Sequence, residues 1–544
     1  MMKSRSLLVN YTGYPTTPNA FMPDNGLAVL ANSLLSSGHE TMVLDYNTID
    51  IMDLLPHDLG KRLIELGGQD TPESSRELKD ISAALDEIQS RDIDEKAREI
   101  TDIIRRRKID FLGFKLWMGQ SFENGIKLAK NIKSRNPGIR IFAGGSHVDY
   151  FRGNIYKVTD VYDVLAYGEG EETIVDLAEY AIGRRELKSI PNLVIKDGSG
   201  VWETPEKRLQ NLDKSFPIYD TDIYPALKGD QKLKLFISEF SRGCPFKCNF
   251  CGHSNKSGSK WRSKSPEHII SEFRHVIDTH GTRVFRNGDS NTPGMLIRDV
   301  AERIVNEGLD IEYALISHVN NLDMDALDIL KKSGCFSVFF GVESGNQQMI
   351  DKYINKGLKL ENAKRAIDEC RKRGLFVVTS YVYPSPGETE ETKRDTYNFI
   401  KASGADAVSI CTPIITPKST WGDKPGEYFI ELSENYFYDL MFFTPALFYP
   451  PTMWKPLNYK INGKDFFEIA GESDRFADAL EKEEGMLTQV MDDAALMSKH
   501  CRMDFREFRS KVRHYLKAGD RPSMEGIIKT INRSASSLPV KISA

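Results

Sequence analysis

Short apolar runs alternate with amphipathic helical stretches twice along these 544 residues, and that rhythm limits the fold more than any other feature. Residues 6–10 read as a strand, 26–38 as a helix stopped by Gly38, and 41–46 as a second strand, which makes a βαβ unit. A charged insertion of helical pattern follows over 51–107. Strands at 109–114, 139–143 and 161–167 then alternate with helices at 121–134 and 171–183. Alternation of this kind builds a parallel sheet, so 1–190 is read as a doubly wound, Rossmann-like α/β domain.

Residues 191–232 break the rhythm with a hairpin around Asp197-Gly198 and a stretch holding Pro217 and Pro225, and read as a linker. A second series over 233–424 places strands at 234–239, 282–286, 311–316, 336–341, 376–382 and 407–411. Six such strands suit a partial, TIM-like (β/α)6 barrel with its chemistry at the carboxyl ends of the strands. The remainder, 425–544, reads as a mainly helical domain covering the substrate. Its aromatic stretch, Tyr436, Tyr438, Phe442, Phe443, Tyr449 and Trp454, reads as the core of that cover.

Composition excludes several classes. With 73 Lys+Arg against 78 Asp+Glu the net charge is −5, which argues against a nucleic-acid partner. No apolar run approaches the roughly 18 to 20 residues of a membrane span. The amino terminus lacks a signal h-region, so a cytoplasmic location is expected. Seven cysteines are too few for a disulfide framework, but three of them fall within eight residues.

That cluster is Cys244-Pro245-Phe246-Lys247-Cys248-Asn249-Phe250-Cys251, directly after the first barrel strand and therefore at the catalytic end. Three thiolates at this spacing can hold three corners of a [4Fe-4S] cube and leave one iron open. An open iron can chelate the amino and carboxylate groups of an amino-acid ligand and bring that ligand's sulfur within electron-transfer reach. Zinc held by Cys244, Cys248, Cys251 and His253 is the competing reading, although the second ligand pair usual in structural zinc sites is missing. Cys335 and Cys370 read as packing residues. Cys411 ends the sixth strand, where a thiol can donate a hydrogen atom or bind substrate.

The cysteine run, with Phe250 as the aromatic before the last cysteine, resembles the hallmark of the radical S-adenosylmethionine (SAM) superfamily. Gly341-Val342-Glu343-Ser344-Gly345 with Asn355-Lys356-Gly357, and Pro386-Gly387-Glu388-Thr389, resemble further family signatures at later strand ends. The resemblance implies SAM contacts at Phe250, Gly288, Asp289, Ser290, His318, Glu343, Ser344 and Tyr381, with Cys244, Cys248 and Cys251 as the catalytic cluster ligands. His318 is read as a hydrogen-bonded pocket residue rather than a catalyst.

The first domain resembles the B12-binding domain of one branch of that superfamily, on Gly144-Gly145-Ser146-His147 and Gly168-Glu169-Gly170-Glu171. The resemblance implies cobalamin contacts at Trp117, Gly144, Gly145, Ser146, Gly168, Glu169 and Gly170. No D-x-H-x-x-G string is present to supply a lower histidine ligand. Two roles stay open for Trp117: capping the cobalt's lower face, or filling the pocket of a purely structural domain.

The implied activity is reductive cleavage of SAM coupled to cobalamin-dependent methyl transfer onto a small-molecule centre. Flavodoxin or ferredoxin is the implied electron donor. The alternative is a cobalamin-free enzyme with a vestigial first domain, performing rearrangement, oxidation or aminocarboxypropyl transfer.

Overall fold

A computed structural model describes residues 3–67, 71–444, 455–489 and 492–537. The first sheet comprises β1 (Arg5–Asn10), β2 (Glu40–Asp45), β3 (Phe111–Lys115), β4 (Arg140–Gly144), β5 (Val164–Ala166), β6 (Leu193–Asp197) and β7 (Gly200–Glu203). Its order is β2-β1-β3-β4-β5-β6-β7, parallel through β5. Leu7, Leu8 and Val9 are at most 1% exposed because helices cover both faces, the condition under which a parallel strand reads as one continuous apolar run. The order reverses between β1 and β3, which directs ligands to the carboxyl ends of these strands.

Two features differ from expectation. The hairpin assigned to the linker joins the first sheet as its antiparallel edge, so this domain extends past residue 190 to Glu203. β5 is only three residues long, and β6 covers its open edge. The charged insertion resolves into helices His57–Leu66 and Pro72–Arg107. The long helix starts at a Thr71/Ser74 capping box with Pro72 in its first turn, and its apolar stripe, Ile93, Ala97, Ile100 and Ile104, is buried in the core on one face of the sheet.

The second sheet starts with β8 (Phe236–Ser238). A short antiparallel ribbon, β9 (Ser241–Arg242) with β10 (Arg262–Ser263), interrupts it before β11 (Val284–Asn287), β12 (Glu312–Ser317), β13 (Cys335–Glu343), β14 (Phe376–Val382) and β15 (Ala407–Cys411). All six expected strands are present and parallel. Beyond a second ribbon, β16 (Ile430–Leu432) with β17 (Tyr459–Ile461), a seventh parallel strand, β18 (Leu487–Thr488), extends the barrel sheet next to β15.

The carboxyl-terminal region does two jobs rather than one. Helix Tyr436–Met441 bridges the domains: the Gly119 amide donates to the Met441 carbonyl at 2.9 Å, and Phe442 packs on Phe122. Tyr436 and Phe443 are core residues, Tyr438 is 45% exposed, and Tyr449 and Trp454 lie outside the described residues. The helices Asp492–Cys501, Phe505–Lys517 and Arg521–Ser536 sit at the other end of the barrel and do not cover its mouth. Their Leu496, Met497, Ile527 and Ile531 pack with Leu235, Val284 and Ala314, and Lys499 and His500 reach Glu312 at the start of β12. The strand starts present apolar side chains there, and burying them fixes where these helices go.

Candidate active site

The cysteine loop is built by backbone geometry before any chemistry enters. Gly243 has φ +94°, and a Cβ there would run into the Lys260 carbonyl oxygen, so only glycine can lead from β9 into Cys244. The Cys244 amide donates to Gly258 O at 2.9 Å. Asn249 donates from its amide to Ile354 O (2.8 Å) and from Nδ2 to Tyr353 O (3.0 Å), and its own carbonyl accepts from the Trp421 amide at 3.0 Å. Phe250 packs on Trp421, ring centroids 5.8 Å apart. The loop is thereby stitched to the barrel rim.

Burial pushes the Cys248 thiol up to about 11, with Lys356 acting in the opposite direction. Burial also raises Cys251, against the His253 amide that donates to its Sγ at 3.4 Å. Cys248 feels the charges of Cys251 and Cys244, and Cys251 that of Cys244. Among the described residues no three His, Cys, Asp or Glu side chains converge closely enough to hold a single ion. His253, the fourth ligand of the zinc reading, instead hydrogen-bonds Ser290 through Nε2. Three thiols on one loop without a fourth ligand suit a cluster with one open iron, and metal binding would displace their protons.

The turn after β11 brings Gly288, Asp289 and Ser290 beside this loop. Asp289 is engaged: Oδ1 accepts from the Phe240 amide (2.8 Å), and Oδ2 from Ser241 Oγ (2.7 Å) and Thr292 Oγ1 (2.9 Å). Burial raises its pKa to about 6. The residue ties the second strand end to the strand that leads into Cys244. Glu343, at φ +73°, forms a buried ion pair with Lys356 at 2.7 Å. Lys356 was legible as part of Asn355-Lys356-Gly357 but was not singled out as a site residue.

Three expected SAM contacts are engaged elsewhere. His318 accepts at Nδ1 from the Asn320 amide (3.1 Å), donates from Nε2 to Lys356 O (3.3 Å), and stacks on Phe246 at 3.8 Å, with burial lowering its pKa to about 3. Ser344 bonds Thr396 Oγ1 (3.2 Å) and caps the Asn346 amide (3.2 Å). Tyr381 packs in the layer between the sheet and its outer helices; strand alternation turns Ser380 and Val382 inward instead. The same parity puts Ser409 and Cys411 toward the lumen, with Cys411 exposed at the strand end and its Sγ 3.7 Å from Ser409 Oγ. Cys335 and Cys370 are buried.

Between the domains lies a cavity of about 470 Å³. Trp117, Gly144, Gly145, Ser146, Gly168, Glu169 and Gly170 line it from the first domain, facing Gly288, Asp289 and Ser290 from the second. Trp117 is 36% exposed, with Nε1 donating to Asn10 Oδ1 at 3.3 Å and Lys115 Nζ 4.2 Å from its ring centroid. An exposed indole and two positive-φ glycines, Gly145 (+108°) and Gly168 (+70°), suit close approach of a broad planar ligand such as a corrin. Glu169 is the exception: its carboxylate is held by Arg262 at 2.6 and 2.8 Å and accepts from the Leu209 amide. His147 does not line the cavity; it lies between Phe122 and Phe151, buried, with its pKa lowered to about 3.

Comparison with known proteins agrees with this arrangement. Residues 238–400 match the Radical SAM superfamily and residues 75–178 the B12 binding domain. The chain carries a radical SAM domain behind a B12-binding domain. It is 32% identical over 293 residues to an uncharacterized methyltransferase of Pyrococcus horikoshii, covering 53% of this chain and 63% of that one. It is 26% identical over 264 residues to an anaerobic magnesium-protoporphyrin IX monomethyl ester cyclase of Synechocystis sp., covering 47% and 52%. The chain therefore spans less than two thirds of either relative. The fold of the chain matches the methyltransferase TsrM from Kitasatospora setae, solved with cobalamin and a [4Fe-4S] cluster, at TM-score 0.65 and 14% identity over 96% of this chain and 100% of that one. Among the described residues no helix is long and apolar enough to cross a membrane.

Proposed function

We propose that this radical SAM protein methylates a small-molecule centre in a cobalamin-dependent reaction. One observation carries the reading: a single cavity joins the glycine loops of the B12-binding domain to the strand ends beside Cys244, Cys248 and Cys251. When bound, the cluster supplies the electron that cleaves the sulfonium, and cobalamin supplies the methyl carrier.

The chain's own residues do the rest. Cys244, Cys248 and Cys251 would hold the cluster, with no fourth protein ligand beside them among the described residues. The Glu343 carboxylate and the Lys356 ammonium offer opposite charges for the zwitterionic end of SAM, in a site where burial strengthens both. Gly288 and Ser290 border the bound cofactor, while Asp289 and His318 keep their segments in place through backbone contacts. Trp117 and the glycines of the first domain accept the corrin face. Flavodoxin or ferredoxin in the cytosol delivers the electron.

Anaerobic purification with added hydroxocobalamin tests the reading. Stoichiometric corrin absorbance, with methylated product and 5′-deoxyadenosine by mass spectrometry, is the expected result. SAM cleavage without retained corrin would favour the cobalamin-free alternative.

A further inference from the structure

Three cations flank the cysteine loop, and all three grip the first domain. Arg242, two residues before Cys244, reaches Glu171 (2.6 Å) and Ser215 Oγ (2.9 Å) with Nη2, and Glu239 (2.9 Å) with Nε. Arg262, on the strand paired with Arg242, holds both oxygens of Glu169. Lys256, five residues after Cys251, meets Asp149 at 3.3 Å, and Asp149 Oδ1 accepts from the Gly168 amide at 2.7 Å. The Gly168–Glu171 loop that lines the cavity is therefore tied at three points to the segment that carries the thiols. Arg242, Glu171, Arg262 and Glu169 are each no more than 15% exposed. Ion pairs buried this deeply add little net stability, because desolvation offsets the attraction; what they fix is geometry.

We propose that Arg242, Lys256 and Arg262 form a clasp that holds the cysteine loop in register with the cavity-lining loop of the first domain, and that Arg242 is a positioning residue for the cluster. The clasp transmits the placement of one cofactor site to the other. This inference rests on the proposed function only in naming the two cofactors.

The test uses the full chain, anaerobically reconstituted, with Glu171→Gln, which keeps the shape of the side chain and removes one charge of the clasp. The variant is expected to keep wild-type iron and sulfide content, and the comparison is made on samples of both proteins loaded to the same hydroxocobalamin content. In the reduced protein, the magnetic coupling between cob(II)alamin and the cluster weakens or spreads over a range of distances. Unchanged coupling with both groups loaded overturns the clasp. A wild type that retains no corrin refutes the proposed function instead. The clasp is then read from amide exchange over residues 241–258 of the cluster-loaded chain, expected to be roughly tenfold faster in the variant; equal exchange overturns it. If Glu171→Gln loses iron, Arg242→Lys, which keeps the charge but not the three-partner reach, is put through the same measurements with the same deciding outcomes.

Discussion

Lys356 Nζ lies 2.7 Å from Glu343 Oε1, and both side chains are buried next to the thiols of Cys248 and Cys251. A Cβ on Gly341 would collide with both, so the pair occupies space that only glycine leaves free. Removing one partner strands the other as a buried charge. Lys356→Met and Glu343→Gln should each cost about 3 to 5 kcal/mol in urea unfolding, and the double variant should recover much of that loss. Additive costs would show that the two groups do not depend on each other.

Cys248→Ala removes one of three cluster ligands. Iron and sulfide should fall well below the wild-type ratio, and neither 5′-deoxyadenosine nor any other SAM cleavage product should form. Undiminished cleavage would remove the cysteine loop from the chemistry.

Burial holds His147 near a pKa of 3, below its ordinary 6.5. The folded chain then binds fewer protons than the unfolded one, so stability is complete above pH 6.5 and declines as the pH falls toward 3, by about 1.4 kcal/mol per pH unit. Glu388, raised by burial to about 8, acts in the opposite sense and gains stability on acidification. Comparing wild type with His147→Phe isolates the histidine: between pH 6.5 and 5 the wild type should lose stability more steeply by that amount in urea titrations. Parallel curves would contradict the buried, neutral ring.

Trp117→Ala separates the two roles left open for the indole. As a cavity wall it should contribute to corrin affinity, and its loss should weaken hydroxocobalamin binding roughly tenfold, as truncation of an aromatic side chain that a ligand covers does. Tighter binding in the variant would identify Trp117 as a plug.

Deleting residues 492–537 should abolish cooperative thermal unfolding, because Leu235, Val284 and Ala314 lose the helices that bury them. A truncated chain with native circular dichroism and a cooperative transition would show that the barrel does not need these helices.

The strands and the cysteine loop were legible because their signals are local: period-two and helical patterns, a three-thiol spacing, glycines at strand ends. Contacts between distant segments were not. Ser344 looks free in sequence, yet Thr396 claims its hydroxyl from 52 residues away. Glu169 looks like a ligand contact until Arg262, 93 residues on, takes both oxygens. The Asp197-Gly198 turn announces a hairpin but not the sheet that receives it. Tyr381 belongs with these: Phe376 and Val378 pack with Ala407 and Phe505, and only those distant contacts fix the parity that turns Tyr381 outward.

The helices at the base of the barrel also impose an order on biogenesis. Val284 and Ala314 leave the ribosome some two hundred residues before Leu496, Met497 and Ile531 are made to shield them. Until translation reaches that point the nascent barrel is open below and greasy inside, a natural client for a chaperone. Tyr353, Ile354 and Trp421, which anchor the cysteine loop, are made before that floor, so the mouth of the barrel can be stitched while its base is still open.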